Sequence, residues 1–171
     1  MICETDRLIL RKLNLDDAPF ILHLLNTPGW IEFIGDRGVK TLTDAERYLL
    51  NGPMESYARN DFGLWAVQLK HNGTLIGLCG LLKREMLNHP DIGFAFLPEF
   101  YGKGYGKESV KATIEVVHSK YDIGTLNAIT TPSNKVSQKL LLTFGFAFEK
   151  VITNGPEELN LYIRHLNEKD Q

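Results

Sequence analysis

Gly102, Gly104 and Gly106 alternate with Lys103 and Tyr105 and are followed by Lys107. A backbone without Cβ atoms folds tightly and comes close to a ligand, so consecutive N–H groups can converge on one anion. Ahead of this turn, Ile92, Phe94, Phe96 and Leu97 have the apolar density of a buried strand, which Pro98 stops. Behind it, Val110, Ile114, Val117 and His118 recur at helical spacing from Glu108 onward. The turn therefore sits at a helix N-terminus, where unpaired N–H groups and the helix dipole favour negative charge. A phosphate is the expected ligand. Two nucleotide-binding readings fail on spacing. A nucleotide-hydrolase loop needs glycine where Tyr101 stands and a hydroxyl where Glu108 stands. A dinucleotide fingerprint accepts Gly102 and Gly104 but meets Lys107 in place of its third glycine, and it belongs after a first strand.

A second polar pair follows. Asn134 and Ser137 lie three residues apart, on one face of a helix expected over 135–144. The strand before it, 125–131, is broken by Pro132, Ser133 is placed to cap the helix, and Gly145 ends it. Cys79 lies in an apolar run with no His or Lys beside it in sequence, which argues against an acyl-carrying thiol. Histidines 23, 71, 89, 118 and 165 have no metal-ligand spacing, so no metal is expected.

The elements that must position these groups are legible in outline. A first strand is expected over 8–13, then a helix capped by Asn14 or Asp16 and running through Leu25. Thr43 and Glu46 read as the capping box of a second helix carrying Tyr48, Leu49 and Tyr57. Between the helices, 27–38 reads as a connection that gathers Trp30, Phe33, Ile34, Asp36 and Arg37 between glycines. Asn72-Gly73 signals a hairpin joining strands over 62–69 and 74–82. A final strand pair is expected over 146–152 and 159–165. Antiparallel strands with helices before and after imply an α+β (mixed α/β) chain, a mostly antiparallel sheet flanked by helices.

Composition limits the alternatives. With 171 residues and 43% hydrophobic content, one domain over 1–171 with a substantial core is expected. Nineteen basic residues against 21 acidic ones leave a formal charge of −2, no general footprint for nucleic acid. Two distant cysteines, Cys3 and Cys79, suit a reducing compartment. The N-terminus meets charge at once, and no apolar run reaches bilayer length, so a cytoplasmic protein, monomer or homodimer, is expected without membrane partners.

Taken together, the motifs resemble the GNAT superfamily of N-acetyltransferases. That family's pyrophosphate loop runs Arg/Gln-x-x-Gly-x-Gly/Ala, and Tyr101-Gly-Lys-Gly-Tyr-Gly106 matches it except at Tyr101. Pro98-Glu-Phe-Tyr-Gly-Lys-Gly-Tyr105 is similar to the form found in the branch of ribosomal-protein N-terminal acetylating enzymes (RimJ/RimL-like). Asn134-Lys-Val-Ser137 followed by Gly145-Phe146, and the opening Glu4-Thr-Asp-Arg-Leu-Ile-Leu-Arg11, are family-like too.

The resemblance implies a GNAT-type acyl-CoA fold whose splayed strands hold acetyl-CoA as co-substrate, and an amine-bearing acceptor such as a protein N-terminus or a small molecule. Tyr101 to Lys107 and Asn134 would bind coenzyme A. The pantetheine arm would lie along the backbone of Phe94, Ala95 and Phe96, with an N–H near Phe94 as oxyanion donor. Gly93 would mark a bulge that splays this strand. Asp91, or Glu85 nearby, would be the general base and Ser137 the acid that protonates the thiolate, with Tyr101, Tyr105 and Tyr162 as other candidates. Trp30, Phe33, Asp36, Arg37 and Arg84 would line the acceptor site. The alternative is a non-catalytic acyl-CoA sensor on the same fold.

Overall fold

The computed structural model describes residues 1–166. In chain order the elements are β1 (Cys3–Glu4), β2 (Leu8–Lys12), α1 (Ala18–Leu24), α2 (Pro28–Phe33), α3 (Leu42–Leu49), α4 (Glu55–Asn60), β3 (Leu64–Leu69) and β4 (Leu75–Leu82). They continue with β5 (Asp91–Phe96), α5 (Tyr105–Lys120), β6 (Thr125–Thr130), α6 (Lys135–Thr143), β7 (Ala147–Asn154) and β8 (Glu157–His165). The eight strands form one sheet in the order β1-β2-β3-β4-β5-β6-β8-β7. Every neighbouring pair is antiparallel except β5 and β6, which run parallel and pair only at Asp91↔Asn127.

Alternation along the strands divides the core into two layers. Trp65 and Val67 of β3 turn to the face covered by α5, where they join Cys79, Leu81, Val110, Val117 and Phe146. Ala66 and Leu78 turn to the opposite face, covered by Ile21, Leu24, Ala45 and Leu49 of α1 and α3. Val110, Ile114 and Val117 of α5 are buried, each worth about 1.5–3 kcal/mol relative to exposure. That burial fixes the helix into which the glycine turn leads. The β3–β4 hairpin closes as its sequence demands: Gly73 takes φ +73°, its N–H donates to the Leu69 carbonyl at 2.8 Å, and the Asn72 side chain accepts from the Thr74 N–H at 3.0 Å.

Several local expectations are corrected. The capping box lies two residues earlier, on Thr41 and Asp44. Asp44 also accepts from the N–H groups of Lys40 and Thr41, both at 3.0 Å, and a helix begun there buries Ala45 and Leu49. Residues 27–38 are not all connection, because Pro28 opens the short helix α2, its missing N–H costing nothing at the first helical position. Helix α5 begins at Tyr105, three residues before Glu108. Asn14 caps a 3₁₀ turn over Leu15–Asp17 ahead of α1, and Asn134, rather than Ser133, caps α6. Between α3 and α4 the chain widens into a π turn over Leu50–Met54, with Pro53 inside it. Gly93 marks no bulge: the β4–β5 register passes through Gly80↔Gly93 without a shift. A Cβ on Gly93 would come within 2.7 Å of the end of the Leu82 side chain, which would have to turn aside.

Candidate active site

The single β5–β6 pair opens the sheet. Beyond Asp91↔Asn127 the two strands diverge, while β5 stays paired with β4 from Leu82↔Asp91 to Gly77↔Phe96. The Leu97 N–H donates to Ile76 of β4 at 2.9 Å, so strand alternation turns the N–H groups of Phe94 and Phe96 to the open edge. A cavity of about 1150 Å³ fills the gap and runs from Arg84 and Asp91 to the glycine turn.

At the turn, Gly102 and Gly104 have φ of +70° and +82°, a region that side chains with a Cβ rarely adopt. From Gly102 to Lys107 no backbone N–H has a hydrogen-bond partner among the described residues. The Glu108 N–H makes the first bond, to the Gly104 carbonyl at 3.0 Å. No side chain caps α5. A run of unspent donors at the start of a 16-residue helix is what a pyrophosphate requires. Gly106 has ordinary dihedrals, and a Cβ on it would lie 3.6 Å from Phe96 and from Leu140 in the cavity wall. What its missing side chain leaves is space for a ligand.

Tyr101, Tyr105 and Lys107 line the cavity, and Lys103 does not. The Lys103 ammonium lies 5.5 Å over the Phe100 ring, and its carbonyl accepts from Arg7 Nη1 at 2.9 Å. Arg7 grips the turn from outside the cavity. Its Nε donates to Glu108 at 2.7 Å, and its guanidinium stacks 4.5 Å over the Tyr105 ring. Burial raises the Glu108 pKa, but hydrogen bonds from Thr5 and Arg7 outweigh it and hold the carboxyl below its usual range. The Tyr101 hydroxyl packs against α2 where a Cβ on Gly29 would come within 2.8 Å. Arg7 and Glu108 escaped the sequence reading as site residues, although Arg7 belongs to the family-like opening.

Across the gap, Asn134 Oδ1 accepts from the Ser137 N–H at 3.2 Å, so the amide oxygen serves as helix cap and the amide nitrogen stays unspent among the described residues. Ser137 lines the cavity, and its hydroxyl makes no hydrogen bond among the described residues. The buried Thr130 hydroxyl at the end of β6 also lines the cavity and has no partner among the described residues. An orphaned buried donor calls for a ligand or water. Nothing in the sequence distinguished Thr130. The open edge, the free amides and the unspent donors all fit an acyl-CoA.

At the far end, Asp91 is 1% exposed. Arg84 Nε donates to its two carboxylate oxygens at 3.2 and 3.1 Å. Burial pushes the Asp91 pKa up to about 6, with Arg84 opposing. Trp30, Phe33, Arg37 and Tyr48 complete this end. Trp30, expected in a connection, lies in helix α2 as a core residue 5% exposed, and its buried Nε1 has no partner among the described residues. Asp36 does not line the cavity; it accepts from the Gly38 N–H at 2.8 Å and pairs with Lys40. Glu85 and Tyr162 are also absent from the cavity wall, Tyr162 lying in the core. Cys79 is buried beside Thr113, and burial pushes its thiol up to about 12.

Among the described residues no group of three or more His, Cys, Asp or Glu side chains could hold a metal ion, and no helix is long and apolar enough to cross a membrane.

Comparison with known proteins places this geometry. Residues 7–147 match the acetyltransferase (GNAT) domain. YoaA of Bacillus subtilis, described as an N-acetyltransferase, is 25% identical over 94% of this chain and 94% of its own length. The structure of an acetyltransferase from Agrobacterium tumefaciens superposes with a TM-score of 0.81 at 21% identity, covering 96% of this chain and 94% of its own. RimL, the ribosomal L7/L12 α-N-protein acetyltransferase, in complex with coenzyme A, superposes with a TM-score of 0.83 at 16% identity, covering 96% and 97%. The chain belongs to the GNAT acetyltransferase family and is an acetyl-CoA-dependent acyltransferase.

Proposed function

We propose that the protein transfers the acetyl group of acetyl-CoA to a primary amine by direct attack, with both substrates in the one cavity. The observation that carries this reading is the parting of β5 from β6 after Asp91↔Asn127, which opens onto the free amides of the glycine turn. Amides from Gly102 to Lys107 bind the pyrophosphate, Lys107 adds charge, and the open edge of β5 pairs with the pantetheine arm. The Asn134 amide nitrogen and the Thr130 hydroxyl are further donors toward that arm.

The residues then divide the chemistry. An α-amine with a pKa of about 7.7–8.0 is only roughly a tenth neutral at pH 7. Asp91, with its pKa raised to about 6, accepts the amine proton, through a bridging water where the amine lies beyond hydrogen-bond reach. The Phe94 N–H stabilises the carbonyl oxygen as it gains charge. Ser137 gives a proton to the departing thiolate. Cys79, held protonated and buried, carries no acyl group.

Thiol release from acetyl-CoA in the presence of an amine panel tests the reading. Release that requires an amine supports it. Tight binding of acetyl-CoA with no release for any amine overturns it in favour of a sensor.

A further inference from the structure

The acceptor end of the cavity has more positive charge than its own carboxylates neutralise. Arg37, Arg59, Lys83 and Arg84 line it, against Glu55 and Asp91. Both carboxylates are committed, Glu55 to Arg59 at 2.8 Å and Asp91 to Arg84 at 3.1 Å. Arg37 and Lys83 have no hydrogen bond or ion pair among the described residues. This surplus sits in a chain whose formal charge is −2. The Asp91 contact also uses only one nitrogen of Arg84: Nε makes both bonds, and the outer pair, Nη1 and Nη2, has no partner among the described residues. Tyr48 lines the same cavity as Arg37 and Arg84, and the charges of both arginines oppose the rise that burial gives its pKa.

Two guanidinium forks and a phenol on the wall of one cavity are suited to a carboxylate, which accepts two parallel N–H bonds from a fork. A purely cationic acceptor would be repelled here. An amine that brings its own carboxylate is attracted as a whole, and the same positive field favours its neutral, nucleophilic form.

Building on the proposed acetyl transfer, we infer that the acceptor is a primary amine bearing a carboxylate close to it, held by Arg84 and Arg37 with the amine turned toward Asp91. A free amino acid and a peptide with an acidic N-terminal residue share that chemistry.

The test measures thiol release with three sets of acceptors: amino acids against their α-carboxamides, peptides beginning with Asp against the same peptides beginning with Asn, and spermidine. Carboxylates should exceed their neutral partners by about tenfold or more in kcat/KM, the scale of one charge-assisted bond. The pair that shows the preference identifies the source. Arg37→Gln, at an exposed position, should bring the ratio near unity by raising KM for carboxylates, leaving KM for acetyl-CoA unchanged. Equal use of neutral partners, preference for spermidine, or a ratio unmoved in Arg37→Gln would overturn the inference. If no amine releases thiol, acetyl transfer itself fails, and the same compounds are read as ligands by melting temperature. A rise with carboxylates that Arg37→Gln abolishes then supports the anion site, and no rise overturns it.

Discussion

Arg7 and Glu108 stand 101 positions apart, yet Nε and Nη2 of the arginine both lie 2.7 Å from one glutamate oxygen. The Arg7 backbone N–H reaches the other oxygen at 3.0 Å. The start of the chain is thereby clamped to the first turn of α5, directly behind the glycine turn. Because Arg7 Nη1 also holds the Lys103 carbonyl, the clamp fixes the direction in which the turn presents its amides. Arg7→Ala should therefore weaken coenzyme A binding about three- to tenfold, the worth of one hydrogen bond. Arg7→Lys should not restore it, since an ammonium lacks the fork. Titration calorimetry on the single variants and the Arg7→Ala/Glu108→Gln double variant checks the coupling, and fully additive losses would show that the two residues act independently.

The two kinds of glycine in the turn should respond differently. Gly104→Val places a branched side chain at φ +82° and should abolish the rise in melting temperature caused by coenzyme A. Gly106→Ala meets only ordinary contacts at 3.6 Å, so its own melting temperature should stay close to the parent's while coenzyme A binding weakens. A Gly104→Val protein that folds and binds coenzyme A like the parent would place the cradle elsewhere.

Asp91 should leave a mark on stability as well as on rate. Its folded pKa of about 6 lies above the unfolded value near 3.9. The native state therefore holds the proton more tightly, and the stability due to that proton is fully present below about pH 4 and lost as pH rises through about 6. Relative to Asp91→Asn, the parent should lose roughly 2–3 kcal/mol of unfolding free energy between pH 4 and pH 7. Urea titrations at a series of pH values measure the difference, and one independent of pH would contradict the raised pKa. The kcat/KM profile should also lose its acidic limb near pH 6 in Asp91→Asn.

Ser137→Ala should lower kcat about 10–100-fold, below the full range of acid catalysis because water substitutes in part. KM for acetyl-CoA should change little, since the proton matters only as the C–S bond breaks. Asn134→Ala should instead weaken acetyl-CoA binding, and loss of the cap to the Ser137 N–H should cost about 1 kcal/mol of stability. Steady-state kinetics separates the two, and an unchanged kcat in Ser137→Ala would remove that hydroxyl from the chemistry.

What could be read from the sequence follows the range of the forces. The strand, glycine turn and helix from Asp91 onward are set by local periodicity and by the missing Cβ atoms, and they are observed within a few residues. The Asn72-Gly73 hairpin is equally local. Thr41 and Thr43 each have an acid three residues on, and the helix starts at the first, where Asp44 accepts from the N–H groups of both Lys40 and Thr41. Long-range packing buries Trp30 under α1 and α3, where the flanking glycines suggested a loop. The clamp of Arg7 on Glu108 spans 101 positions and arises from the sheet's topology, so neither periodicity nor spacing exposes it. Thr130 becomes notable only once β5 and β6 part and its hydroxyl has no partner among the described residues.

Direct transfer between two ligands in one cavity is the central claim, and initial rates at varied acetyl-CoA and acceptor, with the product weighed by mass spectrometry, test it most directly. Double-reciprocal lines should intersect, and each thiol released should be matched by one acetyl group on the amine. Parallel lines, the pattern of an acetylated enzyme intermediate, or thiol released without acetylated amine, would contradict it.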